Sequence, residues 1–263
     1  MTSELRDRAA APARPLLNRV PQVTGAFWVL KVLTTGMGET TSDFFVKRFP
    51  PEIVVPIAFL VLVALLVVQF RVKRYIAAVY WTTALAVSVF GTMAADVLHV
   101  GLGVPYVVST GVFALTLAAI FVAWHRTERT LSVHSIITRR REVFYWATVL
   151  TTFALGTAAG DWTAMSLGLG YLASGVLFAV VIALPAIGFR WFGLNAVLAF
   201  WFAYVVTRPL GASFADWFAV SSARGGLNLG TGPVSAIAFV VFAALVAMFT
   251  LTHQDEEAAP PER

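Results

Sequence analysis

The sequence contains no cysteine, which excludes disulfides, thiolate nucleophiles and cysteine-based metal or iron–sulfur sites and leaves the redox compartment undetermined. Charge is scarce as well. Only 13% of the residues are charged against 59% hydrophobic, too little polar surface to cover a water-soluble globule of 263 residues. With a mean hydropathy of +0.79, the composition is that of an integral membrane protein. No spacing matches a nucleotide-binding loop, a metalloprotease helix or a nucleophile elbow, so an enzyme is not expected and no cofactor is implied. The formal net charge is +5, but the basic residues gather in short segments rather than on one face. That pattern argues for membrane topology and against nucleic-acid binding.

What the sequence does contain is one pattern written four times. An aromatic residue and a Trp are followed by nine residues, a Gly, four more residues and an Asp. The copies are Phe27-Trp28 with Gly38 and Asp43, Tyr80-Trp81 with Gly91 and Asp96, Tyr145-Trp146 with Gly156 and Asp161, and Phe200-Trp201 with Gly211 and Asp216. Four carboxylates in register inside apolar segments mark a genuine internal repeat.

A membrane-crossing helix needs about 20 mostly apolar residues. The sequence predicts eight, at 23–46, 52–70, 76–98, 104–124, 144–166, 171–189, 194–218 and 231–252. Each pattern copy falls on an odd-numbered span and is followed by a plainer apolar one, so the unit is a two-helix hairpin. The predicted fold is therefore an all-α integral membrane protein with eight transmembrane helices. They form four tandem helical-hairpin repeats in parallel orientation, about a pseudo-fourfold or nested twofold axis along the membrane normal. The repeats occupy 22–74, 75–126, 143–190 and 191–252. A connector, 127–142, reads either as a short interfacial helix or as a solvated loop. Residues 1–21 read as a flexible cytoplasmic tail without a cleavable signal, and 253–263 as an acidic cytoplasmic tail. Arg71, Lys73, Arg74, Arg126, Arg129, Arg139, Arg140, Arg141 and Arg190 lie between spans on one side, which predicts a bacterial inner-membrane protein with both termini cytoplasmic. The partners expected are the lipid bilayer and a small inorganic cation, and a homo-oligomer is left open.

Stretches such as FYWATVLTTFALGTAAGDWTA and NAVLAFWFAYVVTRPLGAS carry a resemblance over roughly 22–252. The chain resembles a family of uncharacterised, membrane-anchored bacterial proteins built from four tandem two-span repeats, with a characteristic Trp that Trp28, Trp81, Trp146 and Trp201 match. The resemblance implies architecture and transfers no activity.

At 100° per residue, the positions three, seven, eleven and fifteen after each Trp form one helix stripe. The stripes read Lys31, Thr35, Glu39, Asp43; Ala84, Ser88, Thr92, Asp96; Val149, Phe153, Thr157, Asp161; and Tyr204, Arg208, Ala212, Asp216. Ionisable groups within a span cost about 2.5–3.5 kcal/mol each on insertion scales, so they should face the bundle interior. A ring of Asp43, Asp96, Asp161 and Asp216 near the outer end, with Glu39, resembles the mouth of a cation pathway. Gathered carboxylates repel one another, and a bound cation relieves that repulsion. The alternative is that each Asp caps a helix end. Lys31, Glu39 and Arg208 form a predicted charge network or gate, in which Glu39 pairs with Lys31 or, if the repeats close into a ring, with Arg208. Asp96 and His99, three residues apart, are a candidate metal pair, the plainer reading being a solvated His. Gly38, Gly91, Gly156 and Gly211 should permit close helix contact, and the repeated Trp should pack on a neighbouring repeat. The functional expectation is a transporter or channel for protons, alkali ions or a hard divalent metal ion. The other reading is a non-transporting scaffold or sensor whose polar stripe is structural.

Overall fold

The computed structural model describes residues 18–252, so the acidic tail and residues 1–17 lie outside the described residues. Eight long helices follow one another: α1 (Gly25–Arg48), α2 (Pro51–Arg71), α3 (Ala77–Asp96), α4 (Tyr106–Glu128), α5 (Arg139–Asp161), α6 (Gly170–Phe192), α7 (Ala196–Ala219) and α8 (Thr231–Thr252). The last seven are long and apolar enough to cross a membrane. Helix α1 has the same length, but Lys31, Glu39 and Asp43 make it too polar to qualify by composition.

Local chemistry sets the ends. Thr24 opens α1 by accepting a hydrogen bond from the Phe27 N–H, and Asn195 opens α7 by accepting from Val197 and Leu198. Pro50 and Pro51 end α1 and start α2, because proline cannot continue a helix but suits its first turn. Gly193 closes α6 in the left-handed region at φ 66°. The largest shift from expectation is in α5, which begins at Arg139 because Thr138 caps the Arg139-Arg140-Arg141 turn by accepting from the Arg141 N–H. The connector consequently shrinks to residues 129–138. It holds one short 3₁₀ helix, Val133–Ser135, with Val133 and Ile136 buried and Arg129, His134 and Thr138 exposed.

The odd-numbered helices close a ring in the order α1, α3, α5, α7 and back to α1. The even-numbered helices lie outside it, each against the odd helix of the following repeat: α2 on α3, α4 on α5, α6 on α7, and α8 on α1. The packed pair is therefore not the sequence hairpin. Each hairpin is splayed, and the expected two-helix unit is shared between consecutive repeats. Apolar side chains such as Leu60, Leu115, Val180 and Val240 project outward from α2, α4, α6 and α8.

Two cyclic contacts lock the ring. Each repeat Trp packs against the aromatic residue that precedes the Trp of the repeat before it: Trp81 on Phe27 (5.8 Å), Trp146 on Tyr80 (5.4 Å), Trp201 on Tyr145 (6.1 Å) and, across the closure, Trp28 on Phe200 (5.6 Å). Farther along, each repeat Gly receives the side chain seven positions after the next Trp. A Cβ on Gly38 would lie 1.7 Å from Ser88 Oγ, on Gly91 2.7 Å from Phe153 Cβ, on Gly156 2.1 Å from Arg208 Cγ, and on Gly211 1.9 Å from Thr35 Oγ1. The four glycines are thus sockets, and the tight helix contact expected of them is present. Because matching levels meet, the four ring helices run parallel.

At the basic end, residues 18–21 are not a free tail. Asn18 donates to the Val133 carbonyl and its own carbonyl accepts from Tyr75 N, while Arg19 N donates to Ile136 O. Arg19 Nη1 also donates to the fully buried Glu142 at 2.5 Å, and Gln69 Nε2 donates to the other oxygen of Glu142 at 2.9 Å. This junction ties the N-terminal segment, α2 and α5 together.

Candidate functional site

The four repeated carboxylates stand at one level near the ends of the ring helices. Asp43, Asp96, Asp161 and Asp216 all line a single cavity of about 450 Å³, with Glu39 deeper in it. Asp43 pairs with Lys47 one turn on. The carboxylates of Asp96, Asp161 and Asp216 make no hydrogen bond or ion pair among the described residues. Asp96 and Asp161 each stand where a helix passes into a π turn, Val97–Gly101 and Trp162–Ser166, yet neither side chain caps it. Capping is therefore not what holds the repeated carboxylates in place.

One level deeper the side chains are buried, and of that layer Glu39 reaches the cavity. Arg208, fully buried on α7, places Nη2 2.6 Å from Glu39 Oε2, 2.5 Å from Thr92 Oγ1 and 2.7 Å from Thr157 Oγ1. The two threonine hydroxyls donate to the carbonyls of Ser88 and Phe153, so each has a lone pair to offer the guanidinium. One arginine from the fourth repeat thus gathers the residues eleven places after the Trp in the other three. The network predicted between Glu39 and Arg208 is present.

Lys31 does not join it. Its Nζ lies 4.0 Å from the ring centroids of both Phe153 and Tyr204 and has no hydrogen-bond partner. Of the two partners expected for Glu39, the structure has Arg208, and Lys31 makes cation–π contacts with Phe153 and Tyr204. Beneath Lys31 the ring is filled by buried aromatics, with the Tyr80 and Tyr145 hydroxyls 2.5 Å apart.

A family model described as Repeat of Unknown Function (DUF347) matches four tandem segments, 26–75, 79–130, 144–192 and 199–255. The chain belongs to this family. No curated protein and no solved structure matches it.

Each DUF347 repeat therefore contributes a Trp, a glycine socket and one carboxylate to the ring, and the four copies differ in what lies between. His99 is set apart in the second repeat: it is 8% exposed, not solvated, and its ring meets Tyr106 at 4.3 Å. Sequence reasoning missed Thr92 and Thr157 as arginine acceptors, Ser109 as the partner of His99, and the Arg224–Tyr171 hydrogen bond at the cavity wall. The stripe had brought both threonines to the correct face. For Ser109 and Tyr171, which lie on even-numbered helices, no repeat signal was present.

Proposed function

We propose that this DUF347 protein is a multi-pass membrane protein, with the basic ends of its ring helices and both termini on the cytoplasmic side, that moves small inorganic cations by way of the carboxylate vestibule. The single observation behind the reading is the set of four in-register Asp side chains facing one cavity, three of them without a side-chain hydrogen bond or ion pair among the described residues. Carboxylates left open in an apolar helical bundle are costly unless hydrated or cation-bound, whereas carboxylates that serve only assembly are expected to be dry and paired. Six acidic side chains, Glu39, Asp43, Glu52, Asp96, Asp161 and Asp216, share the cavity with two basic ones, Lys47 and Arg224, which favours a cation over an anion. Apolar outer faces on α2, α4, α6 and α8 fit contact with lipid tails.

The closed Glu39–Arg208 layer favours a second reading, a scaffold or sensor with a blind outer cavity. Cation flux into proteoliposomes separates the two, comparing the native chain with Asp43→Asn and Asp161→Asn. Flux that falls in both variants is the expected result. Unchanged flux in both removes the carboxylate mechanism, and no flux in the native chain supports the sensor.

A further inference from the structure

The wall of the vestibule offers a more specific site than a ring of like charges, two cavity-lining carboxylates with the buried His99 behind them. One carboxylate oxygen from Asp96, one from Asp161 and a ring nitrogen of His99 all lie within 4.8 Å of one another. Metal bonds to imidazole nitrogen and carboxylate oxygen are about 2.0–2.2 Å, so neighbouring ligands stand roughly 3–4 Å apart. Small rotations of the two carboxylates close these three atoms onto an ion.

The imidazole is prepared for that role by its neighbours. His99 Nε2 lies 2.6 Å from Ser109 Oγ, and that hydroxyl has the Tyr106 carbonyl 3.0 Å away as its own acceptor. With the Ser109 proton directed to Tyr106 O, Ser109 Oγ accepts from the Nε2–H. That arrangement corresponds to the Nε2–H tautomer, with the lone pair on Nδ1. Nδ1 is buried and has no hydrogen-bond partner. A ligating histidine almost always donates its other N–H to such an outer acceptor. Tyr106, packed against the ring, holds its orientation. The π turns that begin after Asp96 and Asp161 add to the picture, since single π turns inside helices concentrate at functional sites.

We infer that Asp96, Asp161 and His99 Nδ1 form a binding site for a first-row divalent transition-metal ion, the cargo or signal of the vestibule. The inference rests on the cation reading of that cavity and narrows it. One imidazole with two carboxylates suits Mn²⁺, Fe²⁺, Co²⁺ or Zn²⁺, whereas Mg²⁺, Ca²⁺ and alkali ions gain little from a nitrogen ligand.

The sequence has four histidines, so replacing the other three (His125→Ala, His134→Ala, His253→Ala) leaves His99 as the sole imidazole of the full-length chain. Metal-stripped protein in detergent is titrated with Co²⁺ and followed by visible absorption and calorimetry. One Co²⁺ per chain is expected, undisturbed by an about 100-fold excess of Mg²⁺. His99→Gln, Asp161→Asn and Ser109→Ala should each weaken it by about tenfold or more, and Asp43→Asn, outside the triad, by much less. Ser109→Ala keeps every ligand and reads the tautomer; with Asp161→Asn it decides the matter even where His99→Gln does not fold. No Co²⁺ binding, or native affinity in both Asp161→Asn and Ser109→Ala, overturns the site. Flux on the same preparations keeps the two proposals apart. Transport of another cation without Co²⁺ binding removes this site alone, and Co²⁺ binding without flux of any cation removes transport alone.

Discussion

Arg208 Nη2 lies 2.6 Å from Glu39 Oε2 and joins the last repeat to the first in a layer where Arg208 is fully buried and Glu39 nearly so. Taking two charges out of water is expensive, and removing one partner leaves the other uncompensated, at about 3–5 kcal/mol. Glu39→Gln and Arg208→Gln should each destabilise the protein by that order in denaturant melts of detergent-solubilised protein. The double variant should lose clearly less than the sum, by about 1–3 kcal/mol. Simple additivity would show that the two groups do not act as a pair.

The glycine sockets predict a position-specific sensitivity. Gly156→Ala and Gly38→Ala place a methyl inside the van der Waals radius of Arg208 Cγ and Ser88 Oγ, and overpacking of this kind costs about 1–3 kcal/mol or more. At Gly111, in the second turn of α4, an added Cβ would meet nothing within 4 Å, so Gly111→Ala should be neutral or slightly stabilising through helix propensity. Thermal melts of the three variants check this, and equal effects at Gly156 and Gly111 would contradict the socket.

Reagent accessibility should separate the vestibule from the layer beneath it. The native chain has no cysteine, so single cysteines can be introduced without further changes. Val100→Cys, on the cavity wall and 81% exposed, should react readily with water-soluble thiol reagents, while Thr157→Cys, 1% exposed under Arg208, should stay unmodified. The carboxylates should also make a cationic reagent react about tenfold faster than an anionic one at Val100→Cys, an advantage that salt erodes. Equal rates for the two reagents would mean that the ring exerts no field there.

The junction at the basic end predicts a strong effect far from the vestibule. Glu142 is fully buried and accepts from both Arg19 and Gln69. Glu142→Ala strands Arg19 and should cost about 3–5 kcal/mol, whereas Lys47→Ala removes only a half-exposed pair with Asp43 and should cost under about 1 kcal/mol. Chemical denaturation of both variants tests the contrast.

Much of this architecture is legible in the sequence, because charge inside an apolar helix has few places to go. Glu39 and Arg208 had to meet something, and ring closure was the geometry that let them meet. The fixed Trp, Gly and Asp spacing put all four carboxylates on one level. Where the even-numbered helices pack could not be read. Their apolar faces carry no directional pattern, so nothing distinguishes α2 on its own α1 from α2 on α3. The surroundings of Lys31 were hidden for a related reason: a charge count suggests an acidic partner, while the rings of Phe153 and Tyr204 come from other repeats and are invisible as a pair. The π turns were equally hidden, since a change of one residue per helical turn leaves no mark on hydropathy.

Because α8 packs on α1 as α2 packs on α3, the break between the chain's two ends falls at a junction built like the other three. Circular permutation should therefore be tolerated. A chain opened in the 129–138 turn and rejoined through its original termini keeps every Trp-on-aromatic and side-chain-in-glycine contact, although Arg19 must then be retained in the new linker for Glu142. In the same way, separately made halves carrying two repeats each present two complementary edges and should find each other.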